Sequence, residues 1–223
     1  MKSRIALTGL SFILLASNTN AQNNVNGQVN TITTGVPFLR ISPDARAGGM
    51  GDVGVATSPD PNAQYWNVGK IPFSEKKFGL SLTYTPWLRD LVPDISLAYL
   101  SGYIKFGKDD RQAVSASLRY FSLGDIDFRD INAQSIGTGK PREFSFDVGY
   151  SQRFSDYLSA GVSLRYINSS LLTGISNTNT TNYKPGSTVA ADVGVFYSKT
   201  TDITEFKKNR LNLGGVITNP GGK

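Results

Sequence analysis

The residues that most resemble a chemical site are the glycine-rich run Gly49-Met50-Gly51-Asp52-Val53-Gly54. Its spacing matches the fingerprint with which α/β proteins bind the pyrophosphate of a dinucleotide. That fingerprint binds phosphate only between a strand and a helix, because the helix N-terminus must point at the anion. Here Ser42-Pro43-Asp44 precedes the run and Pro59-Asp60-Pro61 soon follows it. We therefore expect no nucleotide and no other bound cofactor.

Catalytic and metal-binding chemistry is restricted because the chain has no cysteine and no histidine. Thiolate and imidazole metal sites, cysteine nucleophiles and histidine bases all need these residues. A carboxylate pair could act as general acid and base, but Asp109-Asp110, Asp125, Asp127 and Asp130 lie in segments of turn composition. We therefore predict that the protein is not an enzyme and holds no metal.

The charge of the chain gives no indication of nucleic acid. The formal net charge is +6, and two of the cations, Lys2 and Arg4, lie at the very start. The remaining basic residues form no run that is interleaved with aromatic residues on one element. We predict no nucleic-acid partner.

The first 21 residues have the pattern of a secretory signal peptide. Lys2 and Arg4 are followed by an apolar core, Ile5 to Ala16, and by small residues ending at Ala21. The apolar run has about a dozen residues, fewer than the ~20 that a membrane-spanning helix needs. We predict cleavage after Ala21, a mature chain that starts at Gln22, and export from the cytoplasm.

Seven later segments alternate apolar residues with small or polar ones, which is typical of strands with two different faces. They start at Lys77, Ile95, Val114, Phe144, Leu158, Val189 and Leu211. The runs are about 9 to 12 residues long, as expected of tilted membrane strands and longer than typical soluble strands. A sandwich would also have one apolar face, so the alternation alone leaves both classes open. The polar face carries Arg119, Asp147, Arg165 and Asp192, which favours the wet or plugged lumen of a barrel.

The connections between these runs alternate between short and long, as in outer-membrane barrels. Tight turns are predicted at 107–110 and 155–156, long loops at 123–142 and 169–186, and a medium connection at 199–209. Aromatic residues near the strand ends suit interfacial girdles. Seven is an odd number of strands, and the breaker cluster Asn219 to Lys223 follows the last run. We therefore predict an all-β, antiparallel transmembrane β-barrel that is incomplete in this chain.

Several motifs resemble those of the PorV family, also called LptO, of the Bacteroidetes type IX secretion system. They are Val36-Pro37-Phe38-Leu39-Arg40-Ile41-Ser42-Pro43-Asp44-Ala45-Arg46-Ala47-Gly48-Gly49-Met50-Gly51-Asp52, Asn62-Ala63-Gln64-Tyr65-Trp66-Asn67, Tyr84-Thr85-Pro86-Trp87-Leu88 and Ala98-Tyr99-Leu100-Ser101-Gly102-Tyr103. The resemblance implies a FadL-like barrel of fourteen strands, of which residues 76–223 would be the first half. It also implies that residues 22–75 fold into the lumen as a hatch. From the residues alone, the glycine-rich run is expected to let a compact segment pack closely against the inner barrel wall. The hatch motif would comprise Pro43, Asp44, Arg46, Gly48, Gly49, Gly51, Asp52, Trp66 and Asn67.

The same resemblance implies a function and partners. Family members lie in the outer membrane, in contact with lipid and lipopolysaccharide, and shuttle secreted proteins that carry a conserved C-terminal domain. They would receive this cargo from the translocon and deliver it to the sortase PorU, with the loops at 123–142 and 169–186 as partner surfaces. Two alternatives are a FadL-like channel for hydrophobic small molecules, opened by movement of Gly48 to Gly54, and lipid A deacylation. The lack of a histidine base argues against deacylation.

Overall fold

The computed structural model describes residues 36–87, 94–129, 131–171, 185–204 and 207–221. In these ranges the chain forms one seven-stranded antiparallel sheet and a separate two-stranded hairpin. The sheet curls into a half-barrel. No helix in the described ranges is long and apolar enough to cross a membrane. The predicted signal peptide and residues 22–35 of the predicted hatch lie outside the described residues.

The strands follow one another along the sheet in the order of the sequence, with the hairpin β4–β5 inserted between β3 and β6. They are β1 (Phe78–Pro86), β2 (Ile95–Phe106), β3 (Gln112–Leu123), β4 (Ile126–Arg129), β5 (Ser135–Gly139), β6 (Arg142–Arg153), β7 (Leu158–Ser170), β8 (Gly186–Thr204) and β9 (Lys207–Gly221). Two short helices, α1 (Ala45–Gly49) and α2 (Ala63–Trp66), precede them, together with 3-10 turns at Pro37–Arg40 and Val68–Phe73. A third 3-10 turn, Lys108–Asp110, joins β2 to β3.

The seven predicted strands are confirmed, and three details of their connections differ from the prediction. The loop at 123–142 contains the hairpin β4–β5. The predicted medium connection at 199–209 is wrong, since β8 and β9 continue to within two residues of each other. The breaker cluster does not end the last strand, because β9 runs to Gly221. Asn219 has φ 55° and lies in a bulge between the pairs formed by Ala190 and Asp192, and a bulge is where a strand tolerates a proline such as Pro220.

The faces of the sheet have an inverted polarity. Outward-facing side chains are large and apolar, and Phe78, Leu80 and Leu164 are each at least 70% exposed. Inward-facing side chains are small or polar and buried, as Ser145 (1% exposed) and Asp147 show. In a sandwich the apolar face would be the buried one. The alternation alone left a sandwich and a barrel open, and this polarity favours a barrel wall.

Strand β2 departs from this pattern. Leu97 and Tyr99, which the sequence places on one apolar face, point inward and are buried, whereas Leu100 and Ile104 point outward. Both faces of β2 are partly apolar, so the alternation does not show which face is outside. Three of the aromatic residues that suit an interfacial girdle also point inward and are buried: they are Tyr103, Phe121 and Phe196.

The connections of the sheet alternate strictly between long and short. The longer ones, at 87–94, 124–141 and 171–185, join strand ends that lie at one end of the sheet, which we call the long-loop end. The shorter ones, at 107–111, 154–157 and 205–206, join strand ends at the opposite, short-loop end. The predicted short-and-long alternation is therefore confirmed.

Strands β1 and β9 form the edges of the sheet as described, each with one paired neighbour. Because the sheet has seven antiparallel strands, these two edge strands run in the same direction. They could not pair with each other in an antiparallel ladder. Whether further strands continue the wall, as the family resemblance implies, stays a prediction.

Candidate functional site

The inner segment, residues 36–77, contacts the inward face of the sheet and descends from the long-loop end to the short-loop end. At the long-loop end Phe38 is buried and stacks on Phe121 of β3, with ring centroids 6.4 Å apart. Leu97, Ile167 and Ala190 complete this apolar cluster. Because these residues come from β2, β3, β7 and β8, the cluster fills the concave side of the sheet at its long-loop end.

Asp44 joins the two helices of the inner segment. Its Oδ1 accepts a hydrogen bond from the N–H of Ala47 (2.7 Å) and caps α1, and its Oδ2 accepts one from Nε1 of Trp66 in α2 (2.8 Å). A side-chain cap of this kind contributes about 1 kcal/mol. Pro43, beside it, is fully buried. The structure thus brings together three of the predicted motif residues, Pro43, Asp44 and Trp66.

Asn67 fastens the inner segment to the wall. Its Nδ2 donates to the carbonyl oxygens of Val55 (3.1 Å) and of Val195 in β8 (3.0 Å), and its Oδ1 accepts from the N–H of Gly69 (3.0 Å). The residue is 2% exposed. A Cβ at Gly194 would overlap its amide, so this contact requires a glycine in the wall.

Arg46 and the glycines of the predicted motif lie apart from the wall. Arg46 pairs with Asp60 at 2.6 Å and is half-exposed. A Cβ added at Gly48, Gly49 or Gly51 would have no neighbour within 4 Å, so the expected close packing of these glycines on the wall is wrong. Gly51 (φ 79°) and Asp52 (φ 60°) form a left-handed turn, which explains the glycine at 51.

Gly54, the last residue of the glycine-rich run, is tightly packed, because a Cβ there would overlap the ring of Trp66. That contact lies within the inner segment, and not against the wall.

Several neutral hydrogen bonds also join the inner segment to the wall, and sequence reasoning missed them. Gln64 is buried, donates to Oγ of Ser163 in β7 (2.8 Å) and accepts from Oγ of Ser115 in β3. Ser159 of β7 donates to the carbonyl of Gly69. The available signal was the regular placement of serine and glycine on one strand face, since these residues leave room for a second layer of chain.

Arg119 of β3 brings a cation to the first turn of the inner segment. Its Nη1 donates to the carbonyl oxygens of Phe38 (3.3 Å) and Leu39 (3.1 Å). The guanidinium lies over the rings of Tyr65 (4.5 Å) and Tyr99 (5.3 Å). Burial raises the pKa of Tyr65, against the opposing effect of this cation.

Three further inward charges of the wall pair with one another beneath the inner segment. Arg165 of β7 makes ion pairs with Asp147 of β6 and with Asp192 of β8, the second at 2.9 Å. Its guanidinium also donates to Asn219 of β9, and Ser117 of β3 donates to Asp147 (3.1 Å). One polar set thus spans five adjacent strands, and each buried charge has a partner, as low-dielectric surroundings require.

Lys70 is a fully buried cation within the inner segment. Its Nζ donates to the carbonyl of Gly54 (2.6 Å) and to Oγ1 of Thr57 (3.1 Å). Burial lowers its pKa to about 8, although Asp60 and Asp44 act in the opposite direction. Lys70 therefore joins the segment around Gly54 and Thr57 to the rest of the inner segment, and no sequence pattern marks it.

The gap between α2 and the wall is small. Residues of α2 and of β8 and β9, including Gln64, Asp192 and Thr218, enclose a gap of about 10 Å³. Ligand sites commonly have volumes of roughly 300 to 1,000 Å³. In the described ranges no group of three acidic side chains could hold a metal ion. The arrangement therefore suits a plug in a wall better than a site for a small molecule.

The model of the family described as "Type IX secretion system protein PorV" matches residues 4–223. A search of curated proteins finds no match.

Proposed function

The chain belongs to the PorV family of type IX secretion system proteins, and from this premise we propose that it is a non-enzymatic outer-membrane component that passes cargo to the cell-surface attachment complex. The observation that carries the membrane part of the proposal is the inverted polarity of the sheet. A strand such as β3, with 12 residues, is about 37 Å long and rises about 28 Å at a tilt of ~40°, enough to cross the ~25 Å apolar band of an outer-membrane barrel.

In this proposal residues 1–21 are removed after export, residues 22–75 act as the hatch and residues 76–223 form wall. Long loops face the cell surface in outer-membrane barrels, so the long-loop end would lie outside the cell and the short-loop end in the periplasm. Support for a closed hatch comes from the contacts of Gln64, Asn67 and Arg119, which fasten the inner segment to β3, β7 and β8.

The partners in this proposal are the type IX translocon, a PorU-like sortase and cargo proteins that carry a conserved C-terminal domain. The loop at 123–142 would meet them, since its hairpin β4–β5 lies outside the seven-stranded wall at the long-loop end and the side chain of Ile131 is fully exposed. The second candidate loop, 169–186, lies largely outside the described residues.

The proposal is tested first by deletion of the gene. Cargo proteins should accumulate in the periplasm of the deletion strain, and normal secretion by that strain would refute the proposed role in secretion. Complementation then separates the membrane role from the partner role. Leu118→Arg places a charge in the outward apolar face of β3 and should cost roughly 2 to 4 kcal/mol in the membrane, which lowers the amount of inserted protein.

A matched variant tests the partner surface. Ile131→Arg changes a side chain that is fully exposed in the hairpin, so insertion should be normal while attachment of cargo falls. Equal insertion of both arginine variants would contradict the placement of the apolar face in lipid. Normal attachment in the Ile131 variant and in a variant that lacks residues 126–139 would remove the hairpin from the partner surface.

The alternative of a channel for hydrophobic small molecules has less support. Such a channel needs a ligand-sized apolar path past the hatch, and where α2 faces β8 and β9 the gap is only about 10 Å³. The movable part that the alternative names, Gly48 to Gly54, is joined through Gly54 to the buried Lys70.

A further inference from the structure

The hairpin formed by β8 and β9 extends past its neighbour β7 at the short-loop end. The last pair between β7 and β8 joins Leu158 to Tyr197, and β8 continues from there to Thr204. These seven residues, 198–204, span about 23 Å at the usual rise of a strand. By contrast, β6 passes its last pair with β3, at Gln152, by a single residue. The β8–β9 hairpin therefore stands clear of the wall on one side.

One edge of this extension is open. The N–H of Ser198 donates to the carbonyl oxygen of Tyr157 (2.8 Å), so it points toward the β7 side. Alternate residues of a strand direct their backbone N–H and C=O groups to the same edge. The backbone groups of Thr200 and Asp202 therefore also point to the β7 side, where no described residue pairs with them. Unpaired backbone groups of this kind are a template for another strand.

The open edge lies within the wall, and not at either end of the sheet. On one side of β8 lies β7, which the turn at 154–157 joins to β6, and on the other side β9 pairs with β8 along the whole extension. Strands that continue the wall would pair with β9 or with β1. A closed barrel would therefore leave the edge at 198–204 open, because no position in the sheet remains between β7 and β8.

A basic cavity of about 300 Å³ lies beside this edge. Thr200 lines it, together with the guanidinium-bearing side chains of Arg153 and Arg210. Asp156 also lines it, but its carboxylate is paired with Arg111 at 2.9 Å. Arg210 lies opposite Thr200 in the hairpin and forms an ion pair with none of the side chains that the structure describes. The cavity therefore has a cation available for an acidic group.

We propose that an extended, acidic peptide segment of a periplasmic partner docks here by adding a strand to β8. Its backbone pairs with the open edge at Thr200 and Asp202, and its acidic side chains reach Arg210 and Arg153. The charge of the hairpin agrees with an acidic partner, because basic residues outnumber acidic ones in its sequence. They are Lys199, Lys207, Lys208 and Arg210 against Asp202 and Glu205. The docking edge goes beyond the proposed secretion role, and only its location in the periplasm rests on the orientation given there.

The test measures binding of a synthetic peptide of four Thr-Glu repeats to the intact protein in phosphatidylcholine nanodiscs. The alternation places every Glu on one face of an extended strand. The wild type should bind this peptide at least about tenfold more tightly than four Thr-Lys repeats, which reverse the charge. It should show the same preference over four Pro-Glu repeats, which keep the charge but lack the N–H groups that a strand needs. A benzophenone on the Thr-Glu peptide should cross-link to residues 198–204.

Two variants separate the edge from the charge. Thr200→Pro removes a donor from the open edge and keeps the hydrogen bonds of β8 to β9, so it should weaken binding about tenfold. Arg210→Gln should weaken binding about threefold to fivefold. The control Lys108→Gln removes an exposed cation from another turn at the same end and should leave binding unchanged.

Heat-modifiable gel migration scores insertion of each variant separately. If Thr200→Pro does not insert, the cross-linking map of the wild type decides the location of the site. Equal binding of the three peptides, equal weakening by the control, or cross-links outside the β8–β9 hairpin would overturn the proposal. Because binding is measured on the isolated protein, its failure is distinct from a failure of the secretion role.

Discussion

Replacing Lys70 by methionine tests whether one buried cation sets the stability of the inner segment. Its pKa is about 8 in the folded chain against 10.5 for a free lysine. Between these values the unfolded state holds more protons, so the free energy of unfolding rises with pH. One pKa unit corresponds to about 1.4 kcal/mol, and the rise amounts to about 2 kcal/mol between about pH 7 and about pH 9.5.

The methionine variant should not show this rise. At neutral pH the change removes the cost of a buried cation, but it also leaves the carbonyl of Gly54 without its donor, a loss of roughly 1 to 3 kcal/mol. The two effects nearly offset each other near pH 7. Near pH 9.5 the variant should therefore be less stable than the wild type by about 2 kcal/mol.

The assay is urea denaturation in detergent micelles, followed by tryptophan fluorescence. The chain has two tryptophans, so a Trp87→Phe background leaves Trp66 as a reporter inside the inner segment. Lys108→Met, at an exposed lysine in the turn between β2 and β3, is the control and should keep the wild-type pH slope. The reasoning is refuted if wild type and Lys70→Met have the same slope.

Two further predictions concern the wall. Gly194→Ala should destabilise the chain by roughly 1 to 3 kcal/mol, because its Cβ would overlap Asn67. The control Gly215→Ala, with no neighbour within 4 Å of the added Cβ, should change the urea midpoint little. Equal urea midpoints for the two variants would show that the inner segment is not held at Gly194. Arg165→Met should lower the free energy of unfolding by about 3 to 5 kcal/mol, because it leaves two buried carboxylates without their cation. Unfolding of this variant at the wild-type urea concentration would show that the ion pairs are dispensable.

The architecture of the wall could be predicted from the sequence because each strand carries its own signal. Serine, glycine and charged residues alternate with large apolar ones, and β3, β6 and β7 keep this alternation over most of their lengths. Which face points outward could not be predicted, since a sandwich has the same period. In β2 both faces hold apolar residues, so Leu97 and Tyr99 gave no indication that they point inward.

The contacts of the inner segment could be predicted only in part. Asp44, Trp66 and Asn67 belong to two runs with a family resemblance, and each makes a specific hydrogen bond. Asn67, however, meets a residue of β8 that lies 128 positions later, and no local pattern reveals such a partner. The role of Lys70 could not be predicted either, because a lysine is usually exposed and only the folded chain shows that this one is enclosed.

The descent of the inner segment from the long-loop end to the start of β1 bears on the order in which the chain acquires its structure. The segment is synthesised before the strands and leads directly into the first of them, so it is present while every hairpin is added. Each addition brings new contacts to it, first through Ser101 and Ser115, then through Ser159, and last through the carbonyl of Val195. We expect the segment to act as a folding nucleus that selects the register of successive hairpins. Chains that lack it should assemble slowly and mispair, even where the finished wall would be stable without it.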